Sequence, residues 1–536
     1  MVRGVKLQNW VDSMVGYFNP MAGARRMQAR FAMAAAASLA DIVPGVRRRS
    51  ASREGTLANW GPRRRDRFAE NADHDLTMAR AESLVENDGH ATSCIDALAL
   101  NVAGSGLAPQ SYPDAEFLGI SDEDASAFAD SAEAAWKLWC MEADASGENH
   151  FNDIQYMDVR SMFVTGEFLN LPTWSNESGR SFGLCLHALH PARLRTPSDK
   201  MSCASIRNGV QLGPNNRPEG YWIANPTDGK LLSGLTAKDF LYVPRKKAHR
   251  WTCFHQFHAN MPEQVRGISV LSPAMKQFRD LSDYVDYELV GALIASSLTI
   301  FMETPVDPMG GSLSGDNASG SASGYPLVVD PGMMVTGQPG HKPHIITNSR
   351  PGPTFDAFYE RILRAAAAST GQPYEMVAKD FSKTNYSSAR AALLEVWKLH
   401  TLFQDWFVRG YLYRLWGMVL EEAWLRGMLA VPAGAPSFYD SPLVRHAWLS
   451  AVWTRPPRGQ IDPVKEREAE QLGLDNYTET RTALCHARGM DFKTLAMTRA
   501  RENRLMEKLN LQEAPRAGAP APAPKTYPSD DGPKED

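Results

Sequence analysis

The common nucleotide-binding and hydrolase motifs are absent from this chain of 536 residues. There is no G-x-x-x-x-G-K-[ST] segment, which excludes a Walker-A phosphate site. Neither H-E-x-x-H nor G-x-S-x-G occurs, and the segment from Gly311 to Gly315 carries Leu313 where the second motif needs its serine. The sequence therefore predicts no catalytic residues, and we expect no enzyme activity, no cofactor and no bound metal.

Cysteine pairs and long apolar runs are also missing. The six cysteines are scattered and none forms a C-x-x-C pair, a pattern typical of reduced, mostly buried thiols in a cytoplasmic folding environment. No stretch reaches the ~18 apolar residues that a membrane-spanning helix needs. We therefore expect no membrane partner.

Charge is close to balanced overall but uneven along the chain. The formal net charge of -4 argues against a generally basic surface for nucleic acid, yet residues 1–70 contain 13 Lys/Arg against 5 Asp/Glu. Runs at 47–49 and 63–65 consist of arginine alone, and such clusters attract polyanions or acidic partner surfaces. A solvated arm without stable structure is the alternative for this basic N-terminal arm.

One histidine group resembles a metal site in composition. The segment KKAHRWTCFHQFH contains His249, Cys253, His255 and His258. Zinc sites usually draw ligands from two separated pairs, which this chain does not offer, so a strand with hydrogen-bonded histidines is the better interpretation. Glu167 lies in an apolar strand pattern, and we expect it to pair with an arginine.

The first half of the chain predicts an α+β fold. Residues 71–104 and the segment AFADSAEAAWKLWCME have helical patterns, and Gly104 breaks the first of them. From about 155 to 260, short apolar or alternating runs are separated by Pro, Gly and Asn, as in strands joined by turns. No repeated βαβ pattern occurs, which favours an α+β arrangement over a parallel sheet.

A helix is predicted again from Ser272 to about Thr299, with Ser272 as its N-cap. Three acidic residues lie off its apolar stripe and share a polar face: Asp280, Asp283 and Asp286. A Gly/Ser-rich excursion follows from Gly310, and a short helix is predicted around 355–368.

A polar loop over 371–386 leads into an unusually long helical pattern. The pattern runs from about 387 to 427, with Asn385 or Ser387 as a possible N-cap. If unbroken, this helix is about 60 Å long at 1.5 Å per residue, which favours a strut within an assembly. A charged helical region follows Pro463 to about 510, and the Pro/Ala-rich tail predicts disorder.

These blocks, taken in order, resemble the lambda-like family of bacteriophage portal proteins. The resemblance covers approximately residues 60–510 and rests on order and spacing rather than on any single block. The blocks include VTGEFLN, LHALHPARLRTP, IRNGVQLGPNNRPEGYWI, QVRGISVLSPAMKQFRDLSDYVDYELVGALIASSLTIF, GQPYEMVAKDFSKTNYSSARAALLE and IDPVKEREAEQLGL.

The resemblance implies a ring, typically a dodecamer, whose subunits have wing, stem, clip and crown regions around a channel. Carried onto this sequence, the regions are 1–70 as the arm, 71–271 as the wing, 272–299 as a stem helix, 300–352 as the clip, 353–370 as the second stem helix, 371–386 as the tunnel loop, 387–459 as the long helix and wing return, 460–512 as the crown, and 513–536 as a disordered tail.

The implied function is a conduit for double-stranded DNA at one capsid vertex, during packaging and again during ejection. The resemblance implies as partners the terminase large subunit, the major capsid and scaffold proteins, and a head–tail connector. It implies a place in the virion, after assembly in the host cytoplasm. Lys379 and Lys383 in the tunnel loop are the candidates for transient phosphate contact, and Asp280, Asp283 and Asp286 for an acidic channel lining.

Two other classes of function remain open from the sequence. A metal-dependent nuclease would use the acidic cluster and the histidines, and DNA cleavage would identify it. A monomeric adaptor would bind through the basic arm, and its assembly state would identify it. Neither accounts for two helices that flank a Gly/Ser-rich insertion.

Overall fold

The structure is a computed structural model that describes Met21 and residues 70–225, 235–296, 300–303, 342–345, 354–383, 385–457 and 462–509. The chain divides into two compact units, Met1–Arg67 and Phe68–Asp536, and all elements below belong to the second. The predicted basic arm, most of the predicted clip and the predicted tail lie outside the described residues.

The described part of the chain from Glu70 to Val164 contains five helices. Their bounds are Glu70–Asn87 (α1), Gly89–Val102 (α2), Ala115–Leu118 (α3), Asp122–Met141 (α4) and Phe151–Val164 (α5). The predicted first helical region is interrupted at Asp88, whose carboxylate accepts a 2.7 Å hydrogen bond from the Ala91 amide. This bond is an N-cap, so α2 starts afresh there.

Helix α5 corrects the sequence prediction, which had strands beginning at about 155. The residues buried on α5 include Phe151, Ile154 and Val159, at three- to five-residue steps that suit a helix. The strand pattern starts only after Gly166, whose φ of +95° ends the helical stretch.

The described residues contain thirteen short strands, and every pairing between these strands is antiparallel. The three-stranded sheet has the order β10-β2-β3 and the four-stranded sheet the order β4-β5-β6-β7; β1 pairs with β13, β8 with β9, and β11 with β12. The bounds are Pro109–Ser111 (β1), Glu167–Trp174 (β2), Leu184–Leu189 (β3), Ile206–Arg207 (β4), Val210–Leu212 (β5), Pro218–Ala224 (β6), Phe240–Pro244 (β7), Lys246–Lys247 (β8), Arg250–Trp251 (β9), Phe254–Phe257 (β10), Ile300–Glu303 (β11), Lys342–Ile345 (β12) and Ala451–Trp453 (β13). The predicted α+β class is confirmed.

Two helices flank the excursion after residue 296. Helix α6 spans Met275–Ser296 and helix α7 spans Phe355–Ser369. They pack together through stacked rings of Tyr284 and Phe355, with centroids 5.4 Å apart. The predicted N-cap at Ser272 is wrong, because a turn precedes the helix: the amides of Ala274 and Met275 both donate to the carbonyl of Leu271.

The predicted long helix is continuous, with one irregular turn inside it. A short helix, α8 (Tyr374–Ala378), precedes it; α9 spans Tyr386–Phe407, a π-helical turn spans Val408–Leu412, and α10 spans Tyr413–Leu425. Asn385 is its N-cap, with a 2.9 Å bond from the Ser388 amide to the Asn385 side chain. The π-helical turn contains Gly410, and such turns are local insertions within an α-helix.

A buried polar group holds the π-helical turn against the three-stranded sheet. The side-chain amide of Asn170 donates to the Asp158 carboxyl group at 2.6 Å and to the Tyr411 hydroxyl at 2.9 Å. Burial raises the pKa of Asp158 well above its usual range despite these bonds. Burial disfavours the charged form of this carboxyl group because no cation pairs with it among these contacts.

Tryptophan rings fill the core between the first helices and the long helix. Trp136 on α4 meets Trp139, Trp416 and Trp453 with ring centroids 5.0, 5.5 and 5.9 Å apart. All of them are at most 6% exposed, and tilted or edge-on contacts are the favoured aromatic geometry. The long helix is thus packed into the core along its second half.

The final part of the chain is helical, as predicted for residues after Pro463. Its helices are Pro442–Trp448 (α11), Pro463–Asp475 (α12), Arg481–Ala487 (α13) and Phe492–Lys508 (α14). Neither α12 nor α14 buries a single side chain. Helices α12 and α14 therefore contribute little to the core of the subunit.

The structure also bears on the cysteines and on possible membrane spans. Five of the six free cysteines are buried and Cys203 is exposed, which agrees with mostly buried thiols. Among the described residues, no helix combines the length and apolar character needed to cross a bilayer.

One buried ion pair links the sheet to the segment that leads into α6. The Arg266 guanidinium donates from Nε to the Glu167 carboxylate at 2.7 and 3.0 Å, and its second nitrogen also contacts that carboxylate. His255 Nε2 and the Gly267 amide lie 2.8 and 2.9 Å from the same group. The arginine partner expected for Glu167 is therefore Arg266, which lies 99 residues away in sequence.

Two glycines permit this contact. A β-carbon on Gly166 would lie 2.3 Å from the backbone nitrogen of Ile268, and one on Gly267 would lie 2.0 Å from the carbonyl oxygen of Gly166. Because neither glycine has a side chain, the backbone of the segment 266–268 can lie directly against the turn before β2.

The first prediction concerns the charge of Glu167. Burial alone would raise its pKa, but Arg266 and His255 hold the pKa well below the usual glutamate value. Glu167→Gln should lower the free energy of unfolding at pH 7 by about 3–5 kcal/mol, because it leaves the Arg266 charge buried without a counter-charge. Urea unfolding followed by tryptophan fluorescence measures this.

The same pair predicts a direction for pH dependence. Because the folded-state pKa is depressed, the stabilisation is present above the unfolded glutamate pKa of about 4.3 and is lost as pH falls below it. Glu167→Gln should remove this part of the acid sensitivity. Glu177→Gln, an exposed glutamate between β2 and β3, is the control and should behave as wild type; equal effects of both changes would contradict the prediction.

The second prediction separates steric fit from backbone strain. Gly166 and Gly179 have φ values of +95° and +97°, but a β-carbon on Gly179 meets nothing within 4 Å. Gly179→Ala should therefore cost only the left-handed strain of about 1–2 kcal/mol, and Gly166→Ala a further ~1–3 kcal/mol from overpacking. Equal unfolding midpoints for the two variants would show that the close approach contributes nothing.

Candidate functional site

The segment 371–386, predicted as an open loop, is partly a folded element. It contains α8, and Val377 within that helix is completely buried. Gln372 is 3% exposed, and Gly371 makes the turn out of α7 with a φ of +75°. The prediction of a loop is therefore wrong for the first half of this segment, because apolar burial fixes α8 against the core.

The second half of this segment carries both predicted lysines on the surface. Lys379 ends α8 in the left-handed conformation, with φ of +55°, and is exposed. The carboxylate of Asp380 accepts a 2.9 Å bond from the Ser382 amide and so shapes the turn that follows. Lys383 is also exposed, and the turn therefore presents two cations to solvent.

Lys383 makes an ion pair with α7. Its Nζ lies 2.7 Å from one carboxylate oxygen of Glu360, and the other oxygen accepts bonds of 2.6 and 3.2 Å from the Arg364 guanidinium. The Lys383 bond, followed by the Arg364 bond, lowers the pKa of Glu360, and the Glu360 bond raises the pKa of Lys383. Both groups are therefore charged at neutral pH.

Glu360 and Arg364 are functional candidates that the sequence analysis missed. The only available signal was their four-residue spacing on a predicted helix, which suits an ion pair. That spacing is common on exposed helices, and nothing in the sequence relates Glu360 to Lys383, 23 residues later.

The three predicted acidic residues lie on α6, but two of them have basic neighbours. Asp283 pairs with Arg279 at 2.9 Å, and Asp280 lies 3.7 Å from Lys276. Asp280 and Asp286 are exposed, while Asp283 is half-buried. Asp280 and Asp286 are thus accessible on the subunit, and this face carries mixed charge rather than acid alone.

The histidine group is dispersed among separate partners. His249 lies 2.9 Å from Glu421, His255 lies 2.8 Å from Glu167, and the His258 ring packs on Phe403 with centroids 5.3 Å apart. Each of these histidines thus has a structural contact of its own. Within the described ranges, no group of three or more His, Cys, Asp or Glu side chains is arranged to hold a metal ion.

Comparison with known proteins gives one consistent family. The model of "Phage portal protein, lambda family" matches residues 53–404. The chain is similar to the "Portal protein" of Escherichia phage N15, with 25% identity over 477 residues that cover 84% of this chain and 88% of the relative. It is equally similar to "Portal protein B" of Escherichia phage lambda, with 25% identity over 476 residues, 84% of this chain and 87% of the relative.

More distant similarities are of the same kind. A "Probable portal protein" of Halomonas phage phiHAP-1 is 22% identical over 431 residues and covers 78% of each chain. Among solved structures, a chain of the "Virion of native gene transfer agent (GTA) particle" aligns with a TM-score of 0.41 at 14% identity, over 79% of this chain and 92% of that chain.

The family model spans well over half of the 536 residues, and the resemblance inferred from the sequence blocks is thereby confirmed. This chain belongs to the lambda family of phage portal proteins.

Proposed function

We propose that this portal protein assembles into a ring whose central channel conducts double-stranded DNA into and out of a phage capsid. The observation that carries the proposal is the family match over residues 53–404. A ring is the closed outcome of repeated head-to-tail contacts between identical subunits, and a channel needs no catalytic group of its own.

The regions follow the family plan. Residues 71–271 would form the wing, α6 and α7 the stem, 300–352 the clip, 371–386 the tunnel loop, 387–459 the long helix and wing return, and 460–512 the crown. The stacked contact between Tyr284 and Phe355 supports a paired stem. The exposed helices α12 and α14 support a crown that completes its packing outside the subunit.

The tunnel loop supplies the contacts with DNA. Lys379 and Lys383 are exposed on a short turn that is anchored at its start by buried Val377. Contact with phosphates through two lysines is independent of base sequence. Each lysine–phosphate contact is weak by itself, so it can break and form again as DNA advances.

The outward face of α6 would line the channel. Asp280, Asp283 and Asp286 repel phosphates, while Lys276 and Arg279 offset part of that charge. A wall of mixed charge neither binds DNA tightly nor excludes it. We therefore propose a channel lining of mixed charge rather than a purely acidic one.

The remaining partners follow from the proposed position at one capsid vertex. The terminase large subunit would dock during packaging and the head–tail connector afterwards, with major capsid and scaffold proteins around the ring. The ring would assemble in the host cytoplasm and would then reside in the virion, at the portal vertex of the capsid. A metal-dependent nuclease is the alternative, and the separate hydrogen-bond partners of His249 and His255 give it no support.

The third prediction tests the ring. Purified protein should show a mass close to that of a dodecamer by native mass spectrometry, and ring-shaped particles with a central hole by negative stain. A monomer that cleaves DNA when Mg²⁺ is added would overturn the proposal in favour of the nuclease.

The fourth prediction tests the two lysines. Lys379→Gln with Lys383→Gln should weaken binding of duplex DNA by the rings, whatever the DNA sequence. The slope of log K against log salt should fall in magnitude by about 0.9 for each phosphate that the rings no longer neutralise. Fluorescence anisotropy of a labelled duplex at several salt concentrations measures both.

Lys398→Gln is the matched control for this prediction. Lys398 is an exposed lysine on α9 and, like Lys383, pairs with a glutamate, Glu395, at 2.9 Å. It lies outside the tunnel loop, and its replacement should leave the salt slope unchanged. If the control and the double variant have the same slope, the lysines of the loop do not contact DNA.

A further inference from the structure

We propose that Glu360 is a positioning residue for DNA contact: it holds Lys383 against α7 when DNA is absent and releases the lysine to a phosphodiester group when DNA is present. This inference rests on the proposed function. It adds a residue outside the tunnel loop that controls when one of the loop's two cations is available.

The geometry makes Glu360 a shared partner. One carboxylate oxygen binds Lys383 from the tunnel loop at 2.7 Å, and the other binds Arg364, one turn along α7, at 2.6 Å. The glutamate therefore joins a surface turn to a packed helix. A phosphate oxygen offers Lys383 the same chemistry as the carboxylate, an anionic acceptor for an ammonium group.

Arg364 lowers the free energy needed to release Lys383 from Glu360. When Lys383 leaves, Glu360 keeps its charge-assisted bonds to Arg364, so no carboxylate is left without a counter-ion. Arg364 is itself positioned by Tyr374 of α8, with its guanidinium carbon 4.8 Å from the ring centroid. The cation that remains with Glu360 is therefore held independently of the turn that moves.

The ion pair between Lys383 and Glu360 is weak enough for a phosphate to replace the carboxylate. Lys383 is 65% exposed and Glu360 is 19% exposed at their side chains. The pair is thus partly exposed, and surface ion pairs typically shift an equilibrium by only about two- to five-fold. A buried pair such as Glu167 with Arg266 could not open during passage of DNA, whereas this pair can exchange with successive phosphates.

The movement is confined to the turn itself. The carbonyl of Met376 in α8 accepts a 3.4 Å bond from Ser93 on α2, and Val377 is completely buried. These contacts hold α8 in place when Lys383 is released. The part that changes its conformation in this proposal is the turn that begins at Lys379 and contains Lys383.

The experiment is a double-mutant cycle on assembled rings with a labelled DNA duplex. Glu360→Gln keeps the shape of the side chain but removes its charge, and should tighten duplex binding about two- to five-fold at low salt. In the Lys383→Gln background the same change should have no effect, because no lysine remains to be released. Persistence of the effect there would mean that Arg364 or the general removal of negative charge causes it, and would overturn the proposal.

Glu395→Gln is the matched control, since it also frees an exposed lysine, Lys398, by removing a surface carboxylate. It should leave duplex binding unchanged; an equal gain would likewise contradict a specific role for Glu360. If Glu360→Gln has no effect while Lys383→Gln weakens binding, the positioning role fails but the conduit function stands. If neither change alters binding, Lys383 does not contact DNA at all, and the positioning role fails with it.

A second readout needs no DNA. Amide hydrogen exchange of residues 379–385 should be faster in Glu360→Gln rings than in wild type, and unchanged in Glu395→Gln rings. If Glu360→Gln does not assemble, Glu360→Asp, whose carboxylate is one methylene shorter, serves in both measurements. Unchanged exchange in the turn would overturn the proposal.

Discussion

The buried pair between Glu167 and Arg266 is the interaction on which the arrangement of the subunit depends. It fixes the start of the central sheet to the segment that enters α6, and it also orients His255 in the neighbouring strand. Two charges removed from water are tolerated only when each is fully bonded. Any displacement of the segment 266–268 would break several hydrogen bonds at once, so α6 leaves the sheet in a single direction.

Close approach of two backbones reinforces this constraint. Gly166 and Gly267 leave no room for a side chain between the turn before β2 and the segment before α6. The long helix is fixed to the same sheet by the group of Asn170, Asp158 and Tyr411. The segment before the proposed stem and the π-helical turn of the long helix are therefore held by the same three-stranded sheet.

The proposed DNA-contacting turn has the opposite character. Its helix α8 is anchored by apolar burial, while Lys383 is held by a partly exposed ion pair to Glu360. Strong buried pairs and weak exposed pairs thus divide the molecule into parts that keep their geometry and a part that can exchange partners. This division agrees with a conduit, which must hold its shape while its contacts with DNA form and break.

The sequence alone determined the α+β class, the long helix and the family, because these depend on local periodicity and on the order of blocks. It left Asn385 and Ser387 as alternative caps, and the structure shows Asn385 in that role. The sequence placed the start of the strands too early, since the end of α5 is set by Gly166 and by packing rather than by composition. Only the tertiary structure identified Arg266 as the partner of Glu167, and Glu360 as the partner of Lys383. Those contacts join residues far apart in the chain, and local sequence carries no information about which distant side chain completes them.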